Sequence, residues 1–180
     1  QMCIRDRDLR NLMYTGYKEC NGPFVIRYPR GKGEMADWRN EMHILPIGKG
    51  KKLRDGDDIA ILSLGPIGNE VIKAIKEVES DGISIAHYDM IFLKPMDEEL
   101  LHEVGKRFSR VITVENGVIK GGLGSAVLEF MADNGYAPHV KRIGVPDEFV
   151  EHGSIPELYK LCGMDAKSIA GEIKKMVIRG

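Results

Sequence analysis

The sequence predicts an α/β fold: a mainly parallel sheet with flanking helices, preceded by part of a second domain. Three observations carry this. Ile59 to Leu64 is a continuous apolar run closed by Gly65-Pro66, the pattern of a strand buried on both faces. From Asp58 to the C-terminus, strand-like and helix-like segments alternate, which implies crossover connections and a mainly parallel sheet. Between Tyr28 and Asp58 the periodicity is lost in a stretch holding Gly31, Gly33, Gly48, Gly50 and Gly56. A loop that long inside one compact domain is uncommon, so it reads as a connection between two domains.

The elements follow in order. Leu9, Leu12 and Met13 are spaced as one apolar face of a helix reaching to about Cys20. A helix of that length is marginal alone in water, so either it docks on the rest of the chain or more protein lies upstream. Asn21-Gly22-Pro23 is a turn signal and Phe24 to Arg27 a short strand. A further short strand is expected around His43 to Ile47. After the Ile59–Leu64 strand, Pro66 suits the first turn of a helix whose stripe is Ile67, Val71, Ile75 and Val78. Ile83 to Asp89 is a strand. Asp97 can cap a helix with Leu100, Leu101, Val104 and Phe108 inside. Val111 to Val114 is the next strand, Leu123, Val127, Phe130 and Met131 mark a helix, and Val140 to Ile143 is the last strand. Helices near Ser154–Leu161 and Ala166–Val177 close the chain, the last with Lys174, Lys175 and Arg179 complementing its dipole.

Composition narrows the function. Of 180 residues, 26 are Lys or Arg and 27 Asp or Glu, a formal charge of −1, without the basic excess of a nucleic-acid binder. Apolar runs such as Ile59-Ala60-Ile61-Leu62 fall far below the roughly 18 to 20 residues of a membrane span. Cys3, Cys20 and Cys162 make neither a disulfide framework nor a zinc ribbon, which favours a reducing, cytoplasmic setting. Gln1 to Arg7 has no apolar core of a secretory signal and does not continue into the following pattern, so these residues read as non-native.

Several constellations bear on chemistry. Gly121-Gly122-Leu123-Gly124-Ser125 lies where a dinucleotide fingerprint would sit, but Val127 replaces the third glycine. The plainer expectation is that small residues let the helix start approach a neighbouring backbone or subunit closely. Gly56-Asp57-Asp58 lacks the downstream Asn of a metal–diphosphate motif and reads as a turn. His43, His87, His102, His139 and His152 share no ligand spacing. Ser63 and Ser125 sit in no nucleophile-elbow pattern. Asp89, Glu115 and Asn116 end strands, where parallel sheets place functional groups and where polar residues also satisfy neighbouring backbone. In Tyr28-Pro29-Arg30-Gly31, Pro29 holds Tyr28 extended and Gly31 permits a sharp turn, which puts Arg30 at a strand exit. A guanidinium there is open to a bidentate phosphate grip and equally to a surface salt bridge.

The ordered set Arg27-Tyr28-Pro29-Arg30-Gly31, Leu45-Pro46-Ile47-Gly48-Lys49-Gly50, Phe92-Leu93-Lys94-Pro95-Met96-Asp97, Val114-Glu115-Asn116-Gly117, Gly121–Ser125 and Gly144-Val145-Pro146-Asp147-Glu148-Phe149 resembles the 1-deoxy-D-xylulose-5-phosphate synthases, thiamine-diphosphate enzymes of the transketolase superfamily. The resemblance runs from about Asp8 to the end. It implies that residues 8–50 are the α/β tail of a pyrimidine-binding domain with its linker, and that 57–180 is a transketolase-type C-terminal domain. It further implies a cytoplasmic homodimer that condenses pyruvate with D-glyceraldehyde 3-phosphate with loss of CO2, feeding isoprenoid, thiamine and pyridoxal synthesis. Arg30 would hold the aldehyde's phosphate, with Tyr28 in support. Thiamine diphosphate and Mg²⁺ belong to the full-length enzyme. The motif and carboxylate that serve them are absent here, so the fragment alone is expected to bind neither and to be inactive, and Glu115 is not that carboxylate. Transketolase itself, the β subunit of a 2-oxo-acid dehydrogenase, and a non-catalytic dimerisation module are the alternatives.

Overall fold

A computed structural model describes residues 6–28 and 41–178. The alternating segments form one five-stranded sheet from β1 (Lys51–Arg54), β2 (Ile59–Leu64), β3 (Ile85–Asp89), β4 (Arg110–Val118) and β5 (His139–Val145), in the order β1-β3-β2-β4-β5. The pairings β2–β3, β2–β4 and β4–β5 are parallel, and β1 lies antiparallel on the β3 edge. The helices are α1 (Asp6–Glu19), α2 (Gly68–Val78), α3 (Glu98–Arg107), α4 (Leu123–Asp133), α5 (Ile155–Leu161) and α6 (Ala166–Ile178). The expected mainly parallel α/β architecture is the one observed.

Period-two alternation divides the core between the two faces of the sheet. Ile59, Ile61, Ile85, Ile112 and Val114 face α2 and α6, meeting Val71, Ile75, Ile169 and Ile173. Ala60, Leu62, Ala86, Tyr88 and Val111 face α3 and α4, meeting Leu101, Val104, Leu123 and Val127. Every residue of β2 is buried, which is why its sequence is an uninterrupted apolar run. Asp97 caps α3 as expected: one carboxylate oxygen accepts the Leu100 N–H at 3.1 Å and the other accepts the Gly50 N–H at 2.9 Å. Ser154 and Glu157 form a capping box at α5.

Two expectations need correction. Phe24 to Arg27 is not a strand; only Arg27 makes an isolated bridge. Its alternation is real, but Phe24 and Ile26 spend it packing beside Leu12 and Phe92. Residues 43–47 are not a strand either. Their backbone is strapped to α1 instead: the His43 N–H donates to Asn11 Oδ1 at 3.0 Å and the Leu45 N–H to Thr15 Oγ1 at 2.8 Å. The strand of this region is β1, whose exposed Lys51-Lys52-Leu53-Arg54 carries no burial signal. Of the two fates considered for α1, docking is realised: Leu12 is fully buried against Phe92, with Leu9, Leu45 and Ile91 around them.

Candidate functional site

The polar groups gather at the C-terminal ends of the parallel strands. Glu115 comes late in β4, paired with Leu64, and its side chain points to the α4 face of the sheet at 3% exposure. Its two carboxylate oxygens accept the Leu123 N–H at 2.8 Å and the Gly124 N–H at 3.0 Å, the first free amides of α4. A carboxylate at a helix N-terminus also meets the positive end of the dipole. The glycines exist for this approach. A Cβ on Gly122 would collide with the Glu115 carboxylate, and one on Gly124 would come within 2.6 Å of Thr113 Oγ1. Ahead of them in the loop, the Gly121 N–H donates to Ser125 Oγ at 2.9 Å. Glu115 thus places an internal anion at the glycine-rich helix start, and what its small residues admit closely is side chains, not the neighbouring backbone or subunit expected.

Beyond Glu115 the chain continues as Asn116 and Gly117, and here the N-terminal arm arrives. Arg27 Nη2 donates to the Asn116 carbonyl at 2.9 Å. Gly117 has Glu115 and Arg27 on its two sides: a Cβ there would lie 3.2 Å from Glu115 Oε2 and 3.3 Å from Arg27 Nη1. Asn116 Nδ2 reaches the Tyr159 hydroxyl at 3.4 Å. Asn116 and Tyr159 also line an apolar cavity of about 370 Å³ with Val145, Val150, Leu158 and Met164.

On the opposite face, Ser63 of β2 and His87 of β3 form a buried pair, Oγ to Nε2 2.8 Å. Burial pushes the His87 imidazole down to about 4, so it is neutral near pH 7. Asp89, 6% exposed, accepts the Ile91 N–H at 3.1 Å, and Ile91 has the positive φ of 53°.

Of the site residues expected from sequence, Arg30 lies outside the described residues and Tyr28 is 68% exposed at the end of the arm. Gly56-Asp57-Asp58 is a turn: the Asp58 carboxylate accepts the Ser84 N–H at 2.7 Å, and Asp57 meets Arg107 at 3.3 Å. Among the described residues no three His, Cys, Asp or Glu side chains group as metal ligands. The described residues thus do not fit a magnesium–diphosphate site. None of their helices is long and apolar enough to cross a membrane. Sequence reading missed the contact of Arg27 with Asn116 and the Ser63–His87 pair. The first joins residues 89 apart; the second was hidden in apolar strands.

Residues 48–169 match the family model described as transketolase, C-terminal domain. A curated 1-deoxy-D-xylulose-5-phosphate synthase of Parabacteroides distasonis is 78% identical over 172 residues, 96% of this chain and 27% of that protein. One from Bacteroides fragilis is 57% identical over 175 residues, 97% of this chain and 27% of its own length. The chain thus spans about a quarter of the length of the curated relatives it matches. A solved split-gene transketolase, in an inactive β4 tetramer, superposes with a TM-score of 0.75 at 32% identity over 89% of this chain and 51% of the other.

Proposed function

The chain belongs to the transketolase C-terminal domain family, and from that membership we propose that it is the C-terminal part of a 1-deoxy-D-xylulose-5-phosphate synthase. The observation that carries the reading is the 78% identity to the Parabacteroides distasonis synthase across nearly the whole chain. At 32%, the likeness to the split-gene transketolase supports that alternative far less.

In this reading the complete protein condenses pyruvate with D-glyceraldehyde 3-phosphate in the cytoplasm as a homodimer. Residues 8–50 end the pyrimidine-binding domain, and 57–180 form the C-terminal domain. Thiamine diphosphate, which stabilises the carbanion formed from pyruvate, and Mg²⁺ are held by the part of the enzyme not represented here. This chain contributes Arg30, with Tyr28 beside it in sequence, as the grip on the aldehyde's phosphate. By analogy with the inactive β4 assembly, the chain alone would associate without turning over.

The test is a chimera in which this chain replaces the matching C-terminal stretch of the Parabacteroides distasonis synthase. It should release CO2 from pyruvate when the aldehyde phosphate is present. Arg30→Ala should raise the KM for the aldehyde roughly ten- to a hundredfold, the loss of a charge-assisted hydrogen bond, and leave that for pyruvate nearly unchanged. An inactive chimera, or equal effects on both substrates, would defeat the assignment. Saturable binding of thiamine diphosphate and Mg²⁺ by the isolated chain in calorimetry would contradict the placement of the cofactor elsewhere.

A further inference from the structure

The synthase reading leaves unused a cavity of about 310 Å³ lined by Leu53 and Arg54 of β1, Ile72, Ile75 and Lys76 of α2, and His87 of β3. That volume suits a single-ring molecule, at the lower end of the range of small-molecule sites. β1 is irregular beside it: Lys52 pairs with Tyr88 and Arg54 with His87, so Leu53 is the extra residue of a bulge. Bulges on edge strands re-aim side chains and often accompany binding sites.

His87 supplies the buried polar group of this cavity. It follows Ile85 on the face of the sheet that α2 covers, and it is 1% exposed. Ser63 Oγ donates to the Tyr88 carbonyl at 3.4 Å and so accepts from His87 Nε2, 2.8 Å away. With the imidazole neutral near pH 7, Nδ1 is left as a bare acceptor. No described residue donates to it. Among the described residues the only enclosed side-chain polar atom without a partner is Thr113 Oγ1, so Nδ1 is not sealed in packing but opens onto the cavity. Nε2 serves the fold; Nδ1 is left over. At the rim, Arg54 is shared with Glu79 at 3.2 Å, whereas exposed Lys76 makes no ion pair among the described residues.

We propose that this cavity binds a small amphiphilic carboxylate: an apolar body of about one ring between Leu53, Ile72 and Ile75, its carboxylate at Lys76 and a hydroxyl at the other end donating to His87 Nδ1. The apolar walls hold the ring by burial, the lysine selects for negative charge, and the imidazole selects for a donor.

The probe is 4-hydroxybenzoate, with benzoate, which lacks the hydroxyl, and phenol, which lacks the carboxylate, as controls. Calorimetric titrations are made on the chimera described above and repeated on the 180-residue chain alone. Benzoate should bind roughly three- to tenfold more weakly than 4-hydroxybenzoate, the loss of one hydrogen bond. Lys76→Met should weaken 4-hydroxybenzoate about fivefold and leave phenol unchanged. Ile72→Trp, which fills the cavity from α2, should abolish binding of all three. His87→Leu should reduce 4-hydroxybenzoate to the level of benzoate; where that variant fails to fold, the comparison of the two acids on the parent decides the same point. In amide spectra of the chain, 4-hydroxybenzoate should shift residues 53–54, 72–76 and 87. No saturable binding, binding that survives Ile72→Trp, equal affinity for the two acids, or shifts confined to other residues would each overturn the proposal.

Discussion

Removing the Glu115 carboxylate should cost this domain a large share of its stability. In Glu115→Ala the N–H groups of Leu123 and Gly124, now held at 2.8 and 3.0 Å by a side chain 3% exposed, lose their acceptor. Two buried donors left unpaired cost about 1–3 kcal/mol each, and the lost charge at the helix N-terminus roughly 1 more. A loss of about 3–7 kcal/mol follows, against the roughly 5–15 kcal/mol that holds a typical domain folded. Urea unfolding of the isolated chain, followed by far-ultraviolet circular dichroism, reads it as a lowered midpoint at unchanged slope. The same variant opens an anion site where the parent has none: two free helix amides behind Gly121-Gly122. Inorganic phosphate should therefore raise the midpoint of Glu115→Ala more than that of the parent. A midpoint within about 0.5 kcal/mol of the parent would refute the internal-anion account.

Acid sensitivity should trace in part to His87, whose imidazole is held down at about 4 against 6.5 when unfolded. Between those values the unfolded chain binds the extra proton and the folded one does not, so stability is full above pH 6.5 and falls by about 3 kcal/mol by pH 4. His87→Gln should flatten that slope in pH-dependent urea titrations, and an unchanged slope would clear His87 of the role. Thr113→Val should stabilise the chain by about 1 kcal/mol, because Thr113 Oγ1 is buried without a hydrogen-bond partner; a lower melting temperature would count against this. Gly124→Ala should destabilise by about 1–3 kcal/mol, its new methyl meeting Thr113 Oγ1 at 2.6 Å and Arg142 Cγ at 2.7 Å, as read by the shift in urea midpoint.

What could be read from the residues alone follows burial. β2 and the stripes of α2, α3 and α6 lie against both faces of the sheet, so their apolar spacing is dictated by the core and visible in one dimension. β1 is an exposed edge whose only requirement is backbone pairing with β3, and Lys51-Lys52-Leu53-Arg54 betrays nothing of it. Residues 43–47 show the converse, where Leu45 and Ile47 suggest a strand but the amides are taken by Asn11 and Thr15 from α1. For the site, a glutamate eight residues ahead of a glycine-rich helix start was a usable signal for a self-filled anion cradle. Each half is visible in the sequence by itself, and the fold joins them. No local pattern could pair Arg27 with a carbonyl 89 residues on, since any residue type offers that acceptor.

The polar groups at the ends of the described strands serve the fold itself. Its strand-end polar groups are consumed internally. Glu115 closes α4, Asp97 closes α3 and holds Gly50, and His87 is neutral against Ser63. A carboxylate whose two oxygens each accept a helix amide is tied to the fold, so its removal acts first on stability, which is what Glu115→Ala reads.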